Sequence, residues 1–221
     1  MMQIVIANVL SAADVETVQA VLGRAHFVDG KATAGFAAAA VKHNLQAEGS
    51  DRSLDMISKL VAERILANQV FQSAVRPKAL TQIMFSRYET GMHYGSHVDE
   101  ALVDGMRTDV SLTLFLSEPA SYRGGELTLE DAEGEEAFKL PAGSLVAYPA
   151  TSLHQVRQVT DGTRLAAVGW ARSYVRSMAH RELLFDLETA RREMFARDGK
   201  SREFDLVSKS LTNLLRMWMD D

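Results

Sequence analysis

His97 and Asp99 stand two positions apart in the segment Tyr88-Glu-Thr-Gly-Met-His-Tyr-Gly-Ser-His-Val-Asp. In extended chain that spacing turns both side chains the same way, so that they can share one cation. His154 comes on a later strand-like run, after Leu140-Pro-Ala-Gly-Ser-Leu-Val-Ala-Tyr-Pro149. Two imidazoles and a carboxylate on one face of a metal leave neighbouring positions open, which is how non-haem iron(II) takes a chelating 2-oxo acid and dioxygen. The same donors can hold a hydrolytic zinc, so the three residues alone do not choose the reaction. Arg164 narrows it. It opens the strand after the Asp161-Gly162 turn, and an inward guanidinium there needs an anion, which the far carboxylate of 2-oxoglutarate would supply in bidentate fashion.

Other candidates carry less. His93 precedes His97 by four, but Gly91 and Gly95 make a helical ligand pair a poor fit. His26, His43 and His180 lack partner motifs and read as surface residues, while Gly124-Gly125 has no following lysine-serine pair and reads as a sharp strand entry rather than a phosphate loop. The chain has no cysteine, which excludes disulfides, thiolate metal sites and cysteine nucleophiles. Its net charge of −5 is spread along the sequence and argues against nucleic acid or an anionic membrane as partner. The apolar Met1 to Leu10 segment has no cationic leader, and no apolar run approaches the length of a membrane span. A cytoplasmic protein acting on a small molecule or a protein or peptide is the expectation.

The elements that must position these residues fall into three stretches. Over residues 1–77 a short strand, Ile4–Ala7, accompanies two amphipathic helices. One has Val15, Val18, Val21 and Leu22 behind a Ser11 cap; the other has Leu54, Ile57, Leu60, Val61 and Ile65. Between them the alanine- and glycine-rich Lys31–Asn44 stretch reads as a connecting loop. Over 78–174, seven strand-like runs punctuated by turn residues predict a jelly roll with the N-terminal helices packed on one sheet: Ala79–Tyr88, Asp109–Leu116, Glu126–Leu129, Ala137–Leu140, Ser144–Tyr148, Leu153–Val159 and Arg164–Ala171. Over 175–221 helical periodicity returns, with a stripe from Leu183 to Met194 and another from Phe204 to Trp218. That second stripe needs cover, either on the flank of the barrel or in a homodimer.

Taken in order, Tyr88-x-x-Gly91, Tyr94-x-x-His97-x-Asp99, Gly124-Gly125-Glu126-Leu127, Tyr148-Pro149, His154, Arg164 and Trp170 resemble the prolyl-4-hydroxylase-type branch of the Fe(II)/2-oxoglutarate dioxygenases. Within that branch the chain is similar to the bacterial PKHD-type hydroxylases, and the likeness extends to Thr33-Ala-Gly35 and the C-terminal helices. The resemblance implies a double-stranded β-helix over 78–174, with iron(II) on His97, Asp99 and His154. It further implies Arg164 on the distal carboxylate of 2-oxoglutarate, Tyr88 on the co-substrate side and Trp170 as a wall of the pocket. It brings dioxygen as co-substrate, L-ascorbate as a cofactor, and an association with bacterial iron uptake. One departure stands out: Phe115 occupies a position where some relatives offer a tyrosine hydroxyl to the co-substrate. On the residues alone, a cupin-like metal hydrolase or isomerase and a non-catalytic jelly roll binding iron or a small ligand also stay open.

Register sharpens the expectation for Arg164. If the strands of His154 and Arg164 form a hairpin, a three-residue Asp161-Gly162-Thr163 loop pairs His154 with Trp170 and turns both site residues inward. A two-residue loop would put Arg164 on the opposite face.

Overall fold

A computed structural model describes residues 3–48, 52–131 and 134–220; the two N-terminal methionines of the apolar Met1–Leu10 segment and the final residue of the C-terminal unit lie outside that range. Among the described residues no helix is long and apolar enough to cross a membrane.

Two antiparallel sheets form the core. The larger runs, in spatial order, Ile4–Ile6, Leu145–Pro149, Val110–Phe115, Arg164–Ser173, Met84–Tyr88, Leu45–Ala47 and Phe27–Asp29, with Pro77–Leu80 also paired to the far end of Arg164–Ser173. The smaller runs Gly134–Phe138, Leu127–Asp131, Leu153–Val156, His93–His97 and Lys42–His43. Phe115, Val146 and Tyr148 from the larger sheet pack on Leu127, Leu129 and Phe138 from the smaller, which closes one end of the sandwich. This is the jelly-roll core that the strand pattern predicts.

The larger sheet is buried on both faces, so its strands cannot show simple apolar–polar alternation. Along Val110–Phe115 every residue is buried. Val110, Leu112 and Leu114 join a core with helix α1 (Ala12–Leu22) through Val15, Val18 and Leu22. The same core takes in α3 (Arg52–Ala67) through Leu54, Ile57, Val61 and Ile65; α2 (Phe36–Val41) lies before it in the chain. The alternate positions Ser111 and Thr113 face the interior instead, where they line a cavity. α1 begins where the sequence places it, with Ser11 Oγ accepting from the Asp14 backbone and Asp14 reciprocating.

Three details differ from expectation. The Ala79–Tyr88 run is broken between Leu80 and Met84, because the Ser58 hydroxyl on α3 takes up the backbone N–H of Ile83 and bonds its carbonyl. A short helix, α4 (Gln69–Val75), follows α3; Asn68 Oδ1 caps it by accepting from Val70 and Phe71. Lys31–Asn44 is not a plain loop: a 3-10 turn at Gly30–Thr33 leads into α2 and then into the edge strand Lys42–His43. One glycine and a run of alanines hide this order, which comes from pairing with His93–His97.

The C-terminal helices α5 (Met178–Asp198) and α6 (Arg202–Trp218) pack on each other through Leu184 and Leu211. α5 also rests against α4, and Arg181 pins it by donating to the carbonyls of Val175 and Arg176 at 2.9 Å each. Trp218 is covered within its own chain, stacked 3.9 Å from the His180 ring.

Candidate active site

The smaller sheet carries His97 and His154 on adjacent strands, paired with each other across the ladder. The next paired residues are Val156 and Tyr94, so His93–His97 holds one residue more than its partner. That bulge turns Tyr94 and His97, three apart in sequence, to the same side, and their rings stack at 3.6 Å. Asp99 follows just past the strand end. His97 Nε2 lies 3.9 Å from Asp99 Oδ1, and His154 Nε2 lies 3.7 Å from Asp99 Oδ2. One ion with bonds of ~2.1 Å can bridge such gaps, and these three residues are the metal-capable cluster found among the described residues.

The ring orientations would suit a metal. His97 Nδ1 sits 2.8 Å from the Gly95 carbonyl and His154 Nδ1 3.0 Å from that of Ser152, so each Nδ1–H is tied to backbone and each Nε2 lone pair faces Asp99. Burial, and next the adjacent His154, push the His97 imidazole down to about 4; near neutral pH it is an uncharged donor. Ser111 donates its hydroxyl to Asp99 Oδ2. Burial, followed by the Asp99 carboxylate, raises the Tyr148 hydroxyl well above its ordinary range, and Tyr148 packs edge-on against His154 at 5.0 Å. It stays a neutral wall.

Arg164 lies across the sandwich on the larger sheet, 1% exposed. The hairpin from which its orientation is argued does not form: Val159–Gly162 pairs with Tyr122–Gly124, while Arg164–Ser173 pairs with Val110–Phe115 and Met84–Tyr88. His154 and Arg164 belong to opposite sheets, and a parity rule for paired strands does not apply between them. The side chain still turns inward, because alternation along its own strand sends Ala167 and Ala171 to the helices and Val168 and Trp170 to the cavity by way of the opposite face. Gly162 has a positive φ, +77°, and serves the turn against Tyr122.

Among the described residues no carboxylate pairs with this guanidinium. Nε and Nη2 of Arg164 are buried without a hydrogen-bond partner. Cζ sits over the Tyr88 ring at 5.1 Å and the Phe115 ring at 5.4 Å. Tyr122, 3% exposed, brings a third unpartnered polar atom, its hydroxyl, into the same neighbourhood. A Cβ on Gly125 would stand 3.1 Å from both Arg164 Cδ and Tyr122 Cε2, so a glycine there is what lets the two side chains lie together. Tyr122 was not singled out by sequence; the Tyr-x-Gly-Gly string was the available signal, read only for its turn.

A cavity of about 360 Å³ opens on the triad. Tyr88, Thr113 and Tyr148 line it, as do Trp170, Val168 and, from the N-terminal stretch, Thr33, Gly35, Ala38 and Lys42. Arg164 is not part of the lining; Tyr88, which is, lies between the cavity and the guanidinium it contacts. Trp170 is half-buried with its Nε1 unpartnered. His93 and His43 pair edge to face at 5.8 Å, away from the triad in role, and are not brought into the cluster.

Residues 83–172 match the 2OG-Fe(II) oxygenase superfamily. A PKHD-type hydroxylase of Picosynechococcus sp. is 50% identical over 215 residues, covering 97% of this chain and 98% of the relative. One from Acaryochloris marina is 49% identical, covering 99% and 100%. The chain belongs to the PKHD-type hydroxylases. As such it is an iron(II)- and 2-oxoglutarate-dependent dioxygenase that uses dioxygen to hydroxylate a substrate. In fold, this PKHD-type hydroxylase is similar to a Pseudomonas putida prolyl-4-hydroxylase, with TM-score 0.56, 24% identity, and 77% of this chain and 92% of that one covered. It is also similar to the non-haem α-ketoglutarate-dependent epimerase SnoN, with TM-score 0.57, 15% identity, and 78% and 77% covered. The nitrogen–oxygen donor set suits iron(II), and the unpaired buried atoms of Arg164 suit a carboxylate; the residues present fit both groups.

Proposed function

We propose that His97, Asp99 and His154 hold the iron(II), that Arg164 and the Tyr122 hydroxyl take the distal carboxylate of 2-oxoglutarate, and that the substrate enters between Trp170 and the Thr33–Lys42 wall. The observation that carries this reading is the Arg164 side chain: a buried guanidinium with two unpartnered nitrogens is strongly unfavourable unless an anion completes it. Tyr88, stacked on the guanidinium, fixes its plane and borders the co-substrate. Tyr122 stands in for the hydroxyl that is missing at Phe115.

When bound, iron and 2-oxoglutarate supply the oxidation, in which dioxygen is consumed, 2-oxoglutarate becomes succinate and carbon dioxide, and a substrate C–H becomes C–OH. The chain's own contribution is positional. Gly95 and Ser152 carbonyls hold the two imidazoles in one tautomer, Ser111 orients Asp99, and Tyr94 and Tyr148 brace the rings and keep water from their flanks. A cavity of about 360 Å³ admits a small molecule or one peptide side chain. The reading carries over from the family resemblance ascorbate as reductant of the iron and a link to iron uptake. It also takes the protein as cytoplasmic and, given the exposed Leu183, Phe195, Leu206 and Met217 on α5 and α6, as a homodimer.

Anaerobic titration with iron(II) and 2-oxoglutarate tests it. A weak visible charge-transfer band should grow with both present, and succinate should form on admitting air. Tight iron binding with no response to 2-oxoglutarate would refute the Arg164 assignment.

A further inference from the structure

Lys42 is 5% exposed, yet lines the cavity that opens on the triad. It sits on the edge strand of the smaller sheet, paired with Tyr94, whose ring lies 5.1 Å from Nζ on one side and stacks on His97. One of its three donors is used: Nζ donates to Thr33 Oγ1 at 3.0 Å, and the Thr33 hydroxyl in turn bonds the Gln46 side chain on the larger sheet. The chain of contacts thus joins the edge strand of the smaller sheet to the larger sheet at the cavity. Among the described residues no carboxylate stands within ion-pair distance of Lys42. The nearest acids that act on it are Asp99 and Asp29, and Asp99 is committed to the metal in the reading above.

We propose that Lys42 is the substrate-recognition cation of this enzyme and that the hydroxylated substrate carries a carboxylate which the free Lys42 donors receive. The inference rests on the iron(II)/2-oxoglutarate reading of the cavity. A buried ammonium with unused donors beside a substrate-sized space calls for an anion, as a buried charge needs a partner. The other acids at the cavity, Glu100 and Asp104, belong to its exposed outer part, and the Glu100 carboxylate is turned onto Gly35, where a Cβ would collide with it. That negative rim repels polyanions while leaving a single inner cation, which favours one carboxylate over a polyphosphate. Consistent with its environment, burial pushes the Lys42 ammonium down to about 8, with Asp99 and Asp29 pulling the other way. A bound carboxylate would hold the ammonium in its charged form.

The test uses the full chain loaded anaerobically with iron(II) and 2-oxoglutarate. Matched pairs are added, each a small monocarboxylate (N-acetylated amino acids, aliphatic acids) and its primary amide, with inorganic phosphate alongside, and the shift of the visible band is followed. At least one carboxylate should shift the band saturably and bind about tenfold or more tighter than its amide and than phosphate. Lys42→Met should erase that preference while leaving the iron and 2-oxoglutarate affinities as they were, and Lys42→Arg should keep it. Equal binding of acid and amide, a preference that survives Lys42→Met, or no response to any carboxylate while the 2-oxoglutarate band forms normally would each overturn the inference alone. If the band never forms in the unaltered protein, the iron(II)/2-oxoglutarate reading falls and this inference with it.

Discussion

Arg164→Met separates a functional charge from a structural one. The guanidinium is 1% exposed, two of its nitrogens have no partner, and its neighbours are the Tyr88 and Phe115 rings. Methionine offers similar length without a charge, and replacing buried ionic groups by apolar ones is neutral or stabilising, by about 1–4 kcal/mol. The ligand-free protein should therefore melt no lower than the parent, and by ~1 kcal/mol of gain it would melt about 2–4 °C higher. Co-substrate binding should move the other way. Losing charge-assisted bonds to a buried carboxylate costs about 2–4 kcal/mol, or roughly 30- to 700-fold in the dissociation constant for 2-oxoglutarate. Differential scanning calorimetry of the metal-free protein and anaerobic optical titration give the two numbers. A variant that melts well below the parent yet binds 2-oxoglutarate normally would show that the protein itself supplies the counter-charge, and would refute the argument.

Tyr122→Phe should raise the 2-oxoglutarate dissociation constant about 5- to 30-fold, from the ~1–2 kcal/mol of a hydroxyl donating to a charged acceptor, with iron affinity unmoved; an unchanged titration would return Tyr122 to a packing role. Ser111→Ala removes the donor that orients Asp99 and should weaken iron(II) binding about 10- to 100-fold by equilibrium dialysis. Alanine at His97, Asp99 or His154 should abolish succinate formation with the circular dichroism spectrum intact, while His93→Ala stays near parental; turnover in any of the three would remove that residue from the triad. His97, held near 4 in the fold against ~6.5 unfolded, is protonated first in the unfolded chain. The metal-free protein should thus have its full stability above about pH 6.5 and lose it as the pH falls toward 4. His97→Gln should flatten the melting-temperature profile across that window, and an equally steep profile in the variant would assign the loss elsewhere.

The triad was legible because its signal is local: His-x-Asp at a strand end needs only alternation to converge, and His154 needs only to land on the neighbouring strand. The inward turn of Arg164 was expected for the wrong reason, since a hairpin was inferred where the chain crosses between sheets. Strand runs can be read one at a time, but which run pairs with which is a property of the whole sandwich. Lys31–Asn44 shows the other limit. Its alanines and one glycine have little preference of their own, and the order comes from a backbone ladder to His93–His97 and from Thr33 reaching Lys42 and Gln46. Tyr122 was hidden because the partner that makes its hydroxyl meaningful, Arg164, is distant in sequence and becomes adjacent only through the space left at Gly125.

The strand Val110–Phe115 is read by two audiences at once. Helices α1 and α3 meet Val110, Leu112 and Leu114, and the interior meets Ser111, Thr113 and Phe115. Mutational drift can therefore work on the two sets almost as if they were separate genes: swaps among aliphatics at the even positions change how firmly the scaffold holds, and polar swaps at Ser111 and Thr113 change what the cavity binds. A library that randomises only Thr113, sparing Ser111 beside Asp99 and Phe115 in the core, should keep its folded fraction high while sampling new ligands, and one that randomises only the even positions should do the reverse. Laboratory evolution of this enzyme toward another substrate has a ready-made partition along six consecutive residues.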